Sequence, residues 1–190
     1  MSIVFEQCPV LESKRFLLRL VSKEDTKDLL KVYSDKNALP FFNSDNCNGN
    51  IFYYQTEDKM LDLINFWLWE YECKRYVRFA IIDKEMNQVI GTIEVFKRIS
   101  NDEFNESGIL RVDVRSDYEK NDILYKIMTL ITEAAFKLFN FERIATKAAS
   151  YAVERIEALV KLNFHKTNDR LVSVNGMSYG DYWIMKPYSE

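Results

Sequence analysis

Ile109-Leu-Arg-Val-Asp-Val-Arg115 alternates apolar and polar residues, and Ile123, Leu124, Ile127, Met128, Ile131, Ala134, Ala135 and Leu138 then form one apolar stripe. The first pattern has the two-residue period of a half-buried strand and the second the period of a helix. Glu142 to Ala148 follows as a short strand, and Val153 to Leu162 as a helix with Ile156, Leu159 and Val160 inward. Strand, helix, strand in that order calls for a parallel pair joined by a right-handed crossover.

Upstream, Tyr76–Ile82 and Val89–Arg98 are rich in β-formers and flank a polar turn at Asp83–Gln88, which predicts a hairpin. Residues 15–21, Arg-Phe-Leu-Leu-Arg-Leu-Val, read as a further strand. Ser22, with Glu24 and Asp25 behind it, opens a helix to about Tyr33, and Thr56, Glu57 and Asp58 open another to about Lys74. Residues 35–55 between them are irregular, and long connections in small domains are often functional. Downstream, Phe164–Val174 and Tyr179–Lys186 are expected as strands around a turn at Asn175-Gly176. The resulting order predicts an α/β fold over 1–190, a single domain whose mixed, mostly antiparallel sheet carries helices on both faces.

Composition narrows the function classes. A net charge of −3 and a pI near 5.4 leave no basic footprint for nucleic acid. The longest greasy stretch, Leu61 to Tyr71, is broken by Asp62, Asn65 and Glu70, short of the ~20 apolar residues a membrane span needs. The N-terminal residues carry no basic region or long apolar run, so no signal peptide is expected. Three widely spaced cysteines and one histidine give little material for a disulfide framework or a metal site. A cytoplasmic protein with reduced thiols, no metal, no nucleic-acid or membrane partner, and room for a homodimer is the expectation.

Three segments, in this order and spacing, resemble the GNAT superfamily of N-acetyltransferases, in the branch that acetylates ribosomal-protein N-termini and spermidine. They are Leu11-Glu-Ser-Lys-Arg-Phe-Leu-Leu-Arg-Leu-Val-Ser-Lys-Glu-Asp25, Val89-Ile-Gly-Thr-Ile-Glu-Val95, and Arg143-Ile-Ala-Thr-Lys147 with its helix ending Val160-Lys-Leu-Asn-Phe164. The resemblance spans about residues 14–186. It implies acetyl-CoA as co-substrate, held where two neighbouring strands part after residue 114, and a primary amine as acceptor, on a small molecule or a peptide N-terminus. It further implies backbone pairing of the pantetheine arm along Val112–Arg115 and a pyrophosphate at the start of the following helix, where free N–H groups and the helix dipole favour an anion.

At that helix the family carries a loop of the form Arg/Gln-x-x-Gly-x-Gly/Ala. Here it reads Glu119-Lys-Asn-Asp-Ile-Leu124, and none of the five glycines lies between residues 109 and 175. Asp122 beside a pyrophosphate would cost roughly 3 kcal/mol at ~5 Å and an effective dielectric near 20. As a plain first-turn acid it would instead complement the dipole, with Asn121 as cap. The cofactor-facing residues the resemblance implies are therefore Val112, Val114, Arg115, Lys120, Asn121, Asp122, Ile123 and Arg155. Arg155 reads more readily as a surface ion pair with Glu154 or a neighbour.

Transfer to an amine requires a base for the amine and a proton for the leaving thiolate. Glu94 and Asp113 are the candidate bases, Glu106 a weaker one, and each reads also as the solvent-facing residue of an alternating strand. Leu159 stands where many family members have the acidic tyrosine, leaving Tyr151 and Tyr125 as substitutes by type. Phe41, Phe42, Tyr54 and Trp67 are expected to line the acceptor side, although rings at such spacing are more often core. Against catalysis stands one alternative: an inactive GNAT-fold module that binds or interacts.

Overall fold

The 109–115 alternation becomes β5, Gly108–Val114, the central strand of the fold. Both of its faces are covered, so it is buried along almost its whole length rather than half-buried. Leu110, Val112 and Val114 point into one core and Asp113 meets Tyr33 on the other side. The computed structural model describes residues 3–187.

Eight strands make one sheet in the order β1-β2-β3-β4-β5-β6-β10-β7. Their ranges are β1 Leu11–Glu12, β2 Phe16–Leu20, β3 Val77–Asp83, β4 Gln88–Lys97, β6 Ile144–Lys147, β7 His165–Lys166 and β10 Tyr182–Met185. All neighbours pair antiparallel except β5 and β6, which run parallel. Helices α1 (Thr26–Tyr33) and α2 (Glu57–Glu72) cover one face. Helices α3 (Asn121–Phe139) and α4 (Val153–Lys161) cover the other. The stripe of α3 buries Leu124, Ile127, Met128, Ile131 and Ala135 against Phe16, Phe79, Ile93 and Val112. Thr56 caps α2 by accepting the Lys59 N–H. The mixed α/β fold, with its mostly antiparallel sheet and helices on both faces, is as the sequence predicts.

The C-terminal third departs from expectation. Instead of two long strands it contains four short ones: β7 and β10 in the main sheet, and β8 (Leu171–Val172) with β9 (Ser178–Tyr179) as a separate two-stranded ribbon around Asn175-Gly176. The turn is correct, but β10 inserts between β6 and β7, a non-local pairing that no periodicity encodes.

Gly91 lies opposite Val114 in the β4–β5 pairing. A Cβ there would lie 2.2 Å from the Asp113 carbonyl oxygen. This close approach fixes the position of the β5 segment that carries the site.

Candidate acyl-transfer site

The parallel pairing of β5 with β6 joins Gly108–Leu110 to Ile144–Thr146 and ends there. The strands therefore part after Leu110, four residues earlier than the sequence reading placed the opening. Val112 and Val114 lie beside the gap, both buried.

The gap is filled by α4. Arg155, 3% exposed, donates from Nη1 to the Val112 carbonyl at 2.9 Å, and from Nε and Nη2 to the two oxygens of Glu119 at 2.6 and 2.7 Å. Arg155 is thus no surface ion pair; its partner is the residue at the leading position of the altered loop. The neighbouring Glu154 accepts the Asn121 N–H at 2.8 Å, at the start of α3. An internal carboxylate therefore holds the helix end where an anion is favoured. Asn121 does not cap α3, because Lys120 holds the N-cap position; the Asn121 side chain instead donates to Glu157 and accepts from Lys161.

The remaining predicted contacts are placed differently. Arg115 pairs with Asp117 through Nε and Nη2 and lies over the Tyr118 ring. Lys120 is exposed, Asp122 is an exposed first-turn acid 3.7 Å from Lys126, and Ile123 packs against the main core. Tyr151 donates to the Pro40 carbonyl at 2.6 Å and stacks edge-on to Phe41. Together with Phe42, Lys147 and Arg155 these residues enclose a cavity of about 80 Å³. That is far below the usual range of small-molecule sites. In this structure the Val112 carbonyl is bonded by the Arg155 guanidinium.

On the α1–α2 side of the sheet lies a buried polar network. Glu94 and Asp113 are both inside it, not solvent-facing. Arg78 donates from Nη2 to Glu94 Oε2, and from Nη1 to Thr92 Oγ1 at 3.0 Å and the Tyr33 hydroxyl at 3.2 Å. Arg111 donates to Glu94 Oε1 at 2.8 Å. Glu94 thus has both oxygens taken by guanidinium groups. Although burial raises its proton affinity, Arg78 and Arg111 hold its carboxyl below the ordinary value. Asp113 accepts from Tyr33 at 3.0 Å, and its Oδ1 is buried without a partner. Desolvation lifts its carboxyl above the ordinary value against the pull of Arg78. Of the two candidate bases, only Asp113 has an unused oxygen and a raised proton affinity. Glu106 pairs with Lys97 at 3.3 Å.

The irregular 35–55 connection straps across this network. Asp45 accepts from Lys147 at 2.7 Å to each oxygen and from the Tyr182 hydroxyl at 3.1 Å, while its carbonyl accepts from Arg111 at 2.8 Å. Phe42, Tyr54 and Trp67 gather round Tyr33, with centroids 5.3–6.4 Å away. Phe42 is core there, and Tyr54 is partly buried against it. Trp67 also lines a second cavity of about 480 Å³, with Phe52, Phe66, Phe96, Arg75, Arg78, Glu94 and Arg111. The sequence reading did not single out Arg78, Arg111, Asp45 or Glu119 as bonding partners. A cation inside an otherwise apolar strand, as at Arg78, was the available signal.

A splayed parallel pair at the centre of this sheet order, with α3 beginning at its mouth, defines the acyl-CoA N-acyltransferase scaffold. The chain belongs to the GNAT acetyltransferase family: residues 15–165 match the Acetyltransferase (GNAT) domain. It is 20% identical over 183 residues to the uncharacterized N-acetyltransferase YoaA of Bacillus subtilis (strain 168), covering 94% of this chain and 98% of the relative. Its fold matches a putative ribosomal-protein-serine acetyltransferase from Vibrio cholerae with a TM-score of 0.70 at 10% identity, over 94% and 98% of the two chains. It also matches a spermidine N-acetyltransferase from Vibrio cholerae, solved with CoA and spermine, with a TM-score of 0.64 at 15% identity, over 90% and 94%.

Proposed function

We propose that this protein is an N-acetyltransferase that moves an acetyl group from acetyl-CoA to a primary amine, on a small molecule or a peptide N-terminus. The observation that carries the reading is the parting of β5 from β6 after Leu110 in a chain whose residues 15–165 match the GNAT domain. Asp113 is the residue best suited to hold a proton beside the gap. Glu94 serves to fix Arg78 and Arg111. The three unpaired thiols suit the reducing cytoplasm, and among the described residues no helix is long and apolar enough to cross a membrane.

On this reading the donor's arm runs along Val112 and its phosphates face the start of α3, where Arg155 and Glu154 now bond. Donor entry therefore requires both side chains to leave, after which Arg155 is free to face a phosphate. A second reading, a non-catalytic module on the same scaffold, is favoured by that same occupancy. One experiment separates them: calorimetric titration with acetyl-CoA, followed by thiol-release assays over a panel of amines. Saturable binding with thiol release supports the transferase. Absence of binding at millimolar acetyl-CoA overturns it in favour of the module.

A further inference from the structure

We propose that the larger cavity, beneath the Asn46–Phe52 segment, is an acceptor subsite selective for an amine that carries a carboxylate on an apolar or aromatic body, and that it rejects polyamines. The proposal rests on the transferase reading, and it adds the chemical class of the acceptor.

The cavity measures about 480 Å³, within the range of small-molecule sites. Its walls are apolar rings: Phe52, Phe66, Trp67 and Phe96. Three asparagines and Tyr76 supply neutral polar lining, and its charged lining is mostly cationic, with Arg75, Arg78 and Arg111 against the single carboxylate of Glu94. Both oxygens of that carboxylate are already bound, one to Arg78 and one to Arg111. A second ammonium of a polyamine therefore finds no open carboxylate, and burying it unpaired is costly.

The unmet demand has the opposite sign. The Nε–H groups of Arg78 and Arg111 are both buried and have no protein partner. Arg78 is 1% exposed, and its guanidinium is held 4.1 Å over the Trp67 ring; that of Arg111 lies 5.3 Å over Phe96. These are preorganised donors stacked on the apolar walls, the arrangement that suits a carboxylate attached to a ring or aliphatic chain. Arg75, at a more exposed position, is already neutralised by Glu70 at 2.7 Å. Arg111 belongs to the stretch of β5 beyond its last pair with β6, so an acceptor held on it lies along the strand that borders the gap.

The test is binding, measured without any donor, by calorimetry with L-phenylalanine, phenethylamine and spermidine. L-Phenylalanine is expected to bind at least tenfold more tightly than phenethylamine, with spermidine weakest. Arg111→Gln should remove most of that tenfold preference. Phe66→Ala, at a half-exposed ring whose loss the fold tolerates, should weaken L-phenylalanine and phenethylamine alike. Equal binding of the acid and the amine, preferential binding of spermidine, or no binding by any probe overturns the subsite. Selective L-phenylalanine binding without acetyl transfer upholds the subsite and sinks the transferase reading. Transfer to spermidine without L-phenylalanine binding does the reverse.

Discussion

Glu154 and Arg155, adjacent on the first turn of α4, reach two different elements: Glu154 takes the Asn121 N–H at 2.8 Å and Arg155 the Val112 carbonyl at 2.9 Å. Two neighbouring side chains of opposite charge thus tie α4 to the start of α3 and to β5.

Removing the anion should open the phosphate end. Glu154→Ala frees the Asn121 N–H and deletes a negative charge from the start of α3. Stability should fall by no more than about 1 kcal/mol, the usual worth of a charge at a helix end. Affinity for coenzyme A, read by calorimetry, should rise about tenfold. Unchanged or weaker affinity would show that Glu154 does not compete with the ligand.

The Glu119–Arg155 pair is a buried ion pair, and its energetics should show the asymmetry such pairs have. Glu119→Gln leaves a buried guanidinium short of its charge partner and should cost about 3–5 kcal/mol in urea unfolding. The double variant Glu119→Leu with Arg155→Met should recover most of that loss. A double variant as unstable as the single one would mean the pair is worth more than its desolvation.

Asp113 makes stability depend on pH. Its folded-state proton affinity is raised by burial, so its contribution is full below the unfolded carboxyl value of about 3.9 and is lost as pH rises through the folded value. Asp113→Asn removes that fall. The variant should therefore gain on the native protein between pH 4 and pH 7. Urea titrations at three pH values check this, and a gap that moves the other way refutes the assignment.

Two glycines should respond differently to alanine. At Gly91 the obstacle is backbone, the Asp113 carbonyl, so Gly91→Ala should cost about 1–3 kcal/mol with no easy relief. At Gly108 the obstacle is the Phe141 ring, 2.2 Å from the added carbon. Combining Gly108→Ala with Phe141→Ala should therefore cost less than the two single losses added together, as thermal unfolding would show. Strict additivity would contradict the stated clash.

Local patterns made most of the scaffold legible. The alternation of 109–115 and the stripe of α3 are short-range, and they located β5 and α3 to within two residues. The sequence shows that Asp122 and Leu124 stand where the family's loop has glycines. The contacts made at the start of α3 were not legible. Glu154 lies 33 residues from the amide it caps, and Arg155 lies 36 residues from Glu119. Alternation likewise suggested exposure for Glu94 and Asp113, because it does not reveal that a sheet is covered on both faces. Burial of such residues depends on partners such as Arg78 and Tyr33, supplied by elements distant in the chain.

Asp45 works as a buckle. One carboxylate and its own carbonyl fasten a wandering connection to β5, β6 and β10 at once, between the small enclosure near Tyr151 and the larger chamber near Trp67. Any substitution that loosens this fastening should alter both compartments together. The two cavities are therefore mechanically joined through that one residue.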